Sequence, residues 1–454
     1  MAGRVAEAVM EQEIKNEMKQ RILAELDMSQ EIDDMEVRRL VDQCIMEYKG
    51  TIELPLPARI KLRKELFNTV RRMDVLSEFL EDESVTEIMI NGYDNIFIER
   101  SGRVYKVDQT FENEERLASI IQQIVAGCNR IVNEAVPIVD ARLADGSRVN
   151  VVLPPISLNG PTMTIRKFPK EKMTMERLIE VGALSEDAAE FLKRLVKARY
   201  NIFVSGGTGA GKTTFLNALS DYIPQQERVI TIEDSAELQL KNVVNLVRLE
   251  SRNSNVEGTN AVTIRELIKS SLRMRPDRVI VGEVRDAAAI DMLAAMNTGH
   301  DGSLSTGHAN SSGDMITRLE SMVLMGMELP LEAVRRQIAS AVDVIIHLGR
   351  LRDGSRKVLE IAEVTGMREG LVELHTIYEF EEMVAGEEQE VTDMVYAAAG
   401  TLSEQNVTDG FQLQKVTGRL RARAELLHQE KFLRAGIAYK SVLCAEVRSE
   451  GAGV

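Results

Sequence analysis

Tryptophan is absent from this 454-residue chain, aromatic residues make up only 4% of it, and cysteine occurs three times. Cys44, Cys128 and Cys444 are far apart and odd in number, which argues against a disulfide framework and leaves no pair with the spacing of a zinc site. Nowhere do 18 apolar residues run together, and the N-terminus, Met-Ala-Gly-Arg-Val-Ala-Glu, has no basic stretch followed by an apolar one. The expectation is therefore a cytoplasmic protein with no membrane span. Basic charge is in deficit as well. With 56 Lys and Arg against 71 Asp and Glu the net charge is −15, so a nucleic-acid binder that works by counterion release is not expected.

What is present is a globular composition, 44% hydrophobic and 28% charged, over a length that suits two or three domains. The 21 methionines read as adaptable packing rather than redox chemistry. Apolar residues recur at Met10, Ile14, Met18, Ile22 and Leu26, and again at Val37, Leu40, Val41, Cys44 and Ile45, the patterns of two amphipathic helices. These serve either to dock a partner or to pack on the chain's own next domain. With a third helical stretch over Ile60 to Leu80 they make residues 1–81 an N-terminal helical segment.

From Asp82 to Lys167 short alternating strands are joined by Asn91-Gly92, Ser101-Gly102 and Asp145-Gly146, all hairpin signals. A helix carrying Leu117, Ile120, Ile121, Ile124 and Val125 lies among them and closes at Gly127 as a cap. This is a compact α+β domain over 82–167, and 168–174 reads as a linker. From 175 to 454, strands and helices alternate as in a mostly parallel α/β sheet. The predicted strands are Ile202–Ser205, Val229–Ile232, Val244–Val247, Val279–Gly282, Ser303–Thr306 and Val344–Leu348. Ser185 is placed to cap a helix to Ala198, and Thr263 with Glu266 forms a capping box. Beyond about 365 the pattern is weak.

Within that region Ser205 to Thr214 reads Ser-Gly-Gly-Thr-Gly-Ala-Gly-Lys-Thr-Thr. Every specified position of a phosphate-binding loop is filled, between a strand-like run and a helix. A triphosphate is held mostly by backbone N–H groups, and Gly206, Gly207, Gly209 and Gly211, with Thr208 and Ala210 between them, let the backbone curl that closely. Lys212 supplies an ammonium for the β/γ oxygens, Thr213 a hydroxyl for Mg²⁺, and Thr213 and Thr214 open a helix whose positive end faces the phosphates. Three further segments follow. Thr231 to Glu237 sets Glu233 at a strand end, placed as the base that takes a proton from the attacking water. Arg278 to Glu283 is an apolar strand ending in Gly282-Glu283, where a carboxylate holds the metal shell. Thr298 to Ser311 brackets a strand with His300 and His308, each able to donate to a γ-phosphate oxygen, whereas His347 reads as a packed or solvated residue.

Together the phosphate loop, Ile232 to Leu238 (Ile-Glu-Asp-Ser-Ala-Glu-Leu), Arg275 to Arg285 and Thr298 to Ser303 (Thr-Gly-His-Asp-Gly-Ser) resemble the secretion and pilus-assembly ATPases, and among them the CpaF type that powers tight-adherence pili. The resemblance runs from about Met73 to Leu348. It implies a RecA-like ATPase domain preceded by a small PAS-like domain, a homohexamer, ATP and Mg²⁺, and docking on an inner-membrane platform protein at the inner face of the cell membrane. It names Gly206–Thr213 as Walker A, Glu233, Asp234 and Glu237 as an Asp box, Gly282 and Glu283 as Walker B, and His300 and His308 as a His box. It also implies that arginines of the first domain close over the γ-phosphate, with Arg148 and Arg166 favoured and Arg142 third. The alternative is a conjugation-type ATPase of type IV secretion with the same domain plan. The tetracysteine zinc element of type II secretion members is missing.

Overall fold

The computed structural model describes residues 18, 21–22, 34–47, 59–60, 62–63, 66–67, 73, 75–100, 102–168, 173–252, 260–382, 405–406 and 416–443. Most of the helix expected from Met10 to Leu26, and residues 169–172 of the expected linker, lie outside them. The chain divides into two compact units, residues 1–170 with 397–410, and residues 171–396 with 411–454.

In the first unit α1 (Asp34–Glu47) buries Val37, Val41 and Cys44 in an apolar cluster with Met18, Ile22, Leu66 and Phe67. The helical segment thus has a small core of its own. After α2 (Leu76–Glu81) come β1 (Val85–Asn91), β2 (Ile96–Arg100), β3 (Arg103–Lys106), α3 (Glu114–Gly127), β4 (Ile138–Arg142), β5 (Arg148–Val152) and β6 (Thr162–Arg166). They build a seven-stranded antiparallel sheet whose seventh strand is β15 (Gln405–Asn406), in the order β15-β3-β2-β1-β6-β5-β4. Gly92, Gly102 and Gly146 make the hairpin turns with φ of +99°, +76° and +94°, the region in which glycine is unstrained. The apolar stripe of α3 (Leu117, Ile120, Ile121, Ile124, Val125) packs on Ile88, Ile90, Val149, Val151 and Ile165. The left-handed residue that ends this helix is Asn129 (φ +55°), two places beyond the expected Gly127, because the helix runs through Gly127.

The second unit is a mixed α/β layer structure. Its elements are α4 (Met175–Glu180), α5 (Glu186–Lys197), β7 (Ile202–Gly206), α6 (Lys212–Ser220), β8 (Arg228–Glu233), β9 (Asn245–Glu250), α7 (Ile264–Ser271), β10 (Arg278–Val281), α8 (Ala288–Asn297), β11 (Leu304–Gly307), α9 (Ser312–Gly326), α10 (Leu331–Ala341), β12 (Val344–Arg350), β13 (Arg356–Arg368), β14 (Leu371–Glu382), β16 (Gly418–Ala422) and α11 (Glu430–Arg434). The nine strands run β16-β14-β13-β12-β7-β11-β10-β8-β9. Neighbours from β12 to β9 are parallel, and those from β12 to β16 antiparallel.

Strand alternation feeds one core on each face of this sheet. Ile202, Val204, Ile280, Val344 and Ile346 join the side covered by α4, α5 and α6, while Phe203, Val279, Val281 and Ile345 join the side covered by α8, α9 and α10. The capping box of Thr263 and Glu266 is formed with both of its hydrogen bonds. Ser185 sits at the N-cap of α5 but makes no side-chain capping bond.

Two polar anchors tie the ends of the sheet. Arg278, fully buried, forks its guanidinium onto Glu227 and also donates to the Gly302 carbonyl at 3.2 Å. The chain after β16 returns across the start of β7 and β12. Lys431 donates to Asp301 (2.8 Å) and Asp343 (2.6 Å), Tyr200 Oη donates to the His428 carbonyl (2.6 Å), and buried Glu363 accepts from the Leu427 and His428 backbones (2.7 Å each).

Candidate active site

The C-terminal ends of the parallel strands gather the residues singled out by the sequence, as expected of open α/β sheets. The fully buried strand β7 delivers the phosphate loop, and α6 begins at Lys212. Gly211 caps that helix with φ +90°. At Gly206 a Cβ would stand 2.5 Å from the Leu348 carbonyl oxygen, so no other residue fits there. Gly207, Thr208 and Gly209 are exposed, Ala210 is buried, and Thr213 and Thr214 form the first turn of α6.

Lys212 is buried and folds back on its own loop, donating to the Gly206 and Gly207 carbonyls at 3.0 and 2.9 Å. Burial holds its ammonium below the usual range, and Glu283 pulls the other way. Its Nζ is also 3.2 Å from Nδ1 of His308, which follows β11. An ammonium has only protons to give, so Nδ1 accepts. The imidazole is biased neutral, because burial lowers its affinity for a second proton more than Glu283 raises it. Its own proton therefore sits on Nε2, which faces Glu283 Oε1 at 3.1 Å. Lys212, His308 and Glu283 thus form one chain across the ends of β7, β11 and β10.

The two glutamates differ. Glu233, at the end of β8, is 3% exposed, and its Oε2 accepts from the Glu237 and Leu238 backbones at 2.7 and 2.9 Å. Burial outweighs those bonds and raises its pKa above the usual carboxylate value. Glu283 is pushed up by burial too, but Arg285, His308 and Lys212 more than offset this and hold it below that value. Oε1 of Glu233 is buried without a hydrogen-bond partner and Oε1 of Glu283 has only the imidazole of His308 beside it, a donor set that fits a hard cation and water. Gly282 lets the pair coexist: a Cβ there would stand 2.9 Å from Cγ of Glu233.

Two residues near the loop carried no assigned role in the sequence. Arg285 donates to Glu283 Oε2 at 2.9 Å and lies 3.3 Å from Asp234 Oδ2. Arg356, from the start of β13, donates to the Gly209 carbonyl at 2.7 Å. Arg285 closes the quoted Walker B segment and could have been suspected from that. Nothing in the sequence marks Arg356.

His300 is not brought to the phosphate loop. It precedes β11 at the opposite end of that strand, roughly 13 Å or more from His308 at ~3.3 Å per residue, with Nδ1 3.2 Å from the Ala295 carbonyl. Within this chain His300 and His308 therefore do not share a site. His347 is buried, with Nδ1 2.9 Å from Oγ of Ser205. Arg148 and Arg166 belong to the first unit, where they are direct cross-strand partners, and Arg142 lies opposite Arg148 on its other side.

The family profile described as Type II/IV secretion system protein matches residues 71–429, from the first unit through β16. The chain belongs to this family. Among the relatives of this type II/IV secretion protein is a putative conjugal transfer protein of Mycobacterium tuberculosis, 34% identical over 331 residues, covering 72% of this chain and 93% of that one. The type IV secretion system protein VirB11 of Brucella suis is 33% identical over 322 residues, covering 64% and 88%. The solved VirB11 ATPase of Brucella suis, in complex with sulphate, matches at 31% identity and a TM-score of 0.36, over 63% of this chain and 92% of that one. The relatives named here are conjugal-transfer and type IV secretion proteins, and the expected narrower placement beside the CpaF-type pilus ATPases is not shown by them.

Proposed function

We propose that this chain is a Mg²⁺-dependent ATP hydrolase of a type IV secretion or conjugal-transfer apparatus, acting as a homohexamer at an inner-membrane platform protein. The observation that supports it best is the chain Lys212–His308–Glu283 at the phosphate loop, beside the buried Glu233 Oε1 that lacks a partner. Among the described residues no helix is long and apolar enough to cross a membrane, so docking falls to a partner. The antiparallel first unit takes the place of the PAS-like domain in this plan.

Roles follow from the environments. Glu233, whose burial raises its proton affinity, suits the proton acceptor that readies water for attack. Glu283, kept ionised by its cationic neighbours, suits the metal shell together with the Thr213 hydroxyl. A bound Mg²⁺ would neutralise charge on the phosphates. Lys212 exchanges its two loop carbonyls for phosphate oxygens when the triphosphate enters. His308 lies between Lys212 and Glu283 and moves with both. Arg142, Arg148 and Arg166 lie in one cross-strand row, with Glu87 opposite Arg166 on its other side. The row sets Arg148 and Arg166 side by side, which supports them as groups that close together over the γ-phosphate.

The test is ATP turnover by the full chain with and without Mg²⁺, beside Lys212→Ala. Turnover should need the metal and vanish in the variant, and unchanged turnover in folded Lys212→Ala overturns the reading. In the source cell, loss of DNA or protein transfer with intact pili separates the transfer role from a pilus role.

A further inference from the structure

Glu283, read above as a metal-shell residue, already has a counter-ion. Arg285 NH2 donates to its Oε2 at 2.9 Å, and NH1 of the same guanidinium lies 3.3 Å from Oδ2 of Asp234, whose Oδ1 accepts from the Ser251 hydroxyl at 3.1 Å. One fork thus joins the carboxylate after β10 to the one after β8. Glu283 is largely buried, with 19% of its side chain exposed, whereas Arg285 is 57% exposed. A divalent ion binds carboxylate oxygens directly, so it and the guanidinium compete for the same carboxylate. The guanidinium is the partner that can swing away, since more than half of its side chain is exposed and its second contact, Asp234, is itself at the surface.

We propose that Arg285 is a displaceable counter-ion that makes divalent-metal entry dependent on nucleotide. Without nucleotide the fork occupies Glu283 and Asp234 and suppresses metal binding. With nucleotide, the phosphates draw the metal in and the fork is released. Arg285 is a positioning residue here, acting on Glu283 and not on the substrate. The inference rests on the metal-shell reading of Glu283 and adds an order of binding to it.

Mn²⁺ binding to the full-length protein, followed by electron paramagnetic resonance with and without a non-hydrolysable ATP analogue, tests this. Wild type should bind Mn²⁺ weakly alone and tightly with the analogue. Arg285→Gln should raise affinity for Mn²⁺ alone by about 10- to 100-fold, the scale of one charge-assisted hydrogen bond. Arg285→Lys, which keeps the charge but loses the planar fork, should behave as Arg285→Gln does, and adding Glu283→Gln should abolish the gain. Unchanged or weaker Mn²⁺ binding in a normally melting Arg285→Gln overturns the inference. So does an Arg285→Lys that matches wild type, because net charge alone would then explain the effect. If wild type fails to bind Mn²⁺ even with the analogue, the metal-shell reading itself falls.

Discussion

Glu233 and Gly282 show how one side chain's chemistry depends on a neighbour with none. Glu233→Gln should bind ATP normally and lose about 10²–10⁴ in turnover, the usual cost of a missing general base, in a steady-state assay. The same change should stabilise the fold. The pKa of Glu233 lies above the 4.5 of an ordinary glutamate, so the native state holds that proton more tightly than the unfolded chain. Its stabilising contribution is then present in acid and lost as pH rises through the raised value. Glu233→Gln should therefore melt higher than wild type at pH 8, by roughly 2–4 °C per kcal/mol relieved, and the gain should shrink toward pH 4. Gly282→Ala tests the packing: its Cβ would meet a Glu233 side chain already pinned by two backbone amides, so turnover should fall much as in Glu233→Gln while nucleotide affinity holds. The phosphate loop and both glutamates are legible in the sequence because their residue types and spacing follow phosphate chemistry. The reason for Gly282 is not, since it exists only once β8 lies beside β10.

At the scale of elements, the parallel strands stand within a few residues of where apolar runs place them, whereas β13 and β14 escaped notice. Charged residues are scattered through both (Lys357, Glu360 and Glu363; Glu373, Glu379 and Glu381), and breaks in register at Ile361/Ala362 and Val364/Gly366 interrupt the period of two that marks a strand. The segment after β16 was equally obscure, because its core residues Leu426, Phe432 and Val442 are spaced with neither a helix nor a strand period, and polar anchors hold it beside them. Glu363→Ala should show their weight. It strips the carboxylate from the Leu427 and His428 amides and should cost about 2–4 kcal/mol, read as a lower urea midpoint for unfolding. Retention of the wild-type midpoint would mean that this segment adds nothing to the fold.

For the whole molecule, the arginine row predicts an effect on rate far larger than on stability. Arg148→Ala removes one of three arginines aligned across β4, β5 and β6, and the melting temperature should stay within about 2–4 °C of wild type. Turnover in the assembled protein should nevertheless fall by about 10³–10⁵, the scale of an arginine finger, with nucleotide affinity unchanged. Sedimentation with Mg²⁺ and a non-hydrolysable analogue should show a hexamer, and a fully active monomer would contradict a shared site. The family was legible in the motifs around the phosphate loop, whereas the narrower CpaF-type placement, which leaned on the missing tetracysteine element, is not shown. One last consequence concerns synthesis. Tyr200, Asn201 and Asp343 leave the ribosome long before Lys431 and His428 arrive to bond with them or their neighbours. At ~5–20 residues per second, the strand carrying the phosphate loop waits roughly 10–50 s for the tail that fastens its base. A message cut short before about residue 430 would leave Glu363 buried without its donors, so the base of that strand is fastened only once the segment beyond β16 has been made.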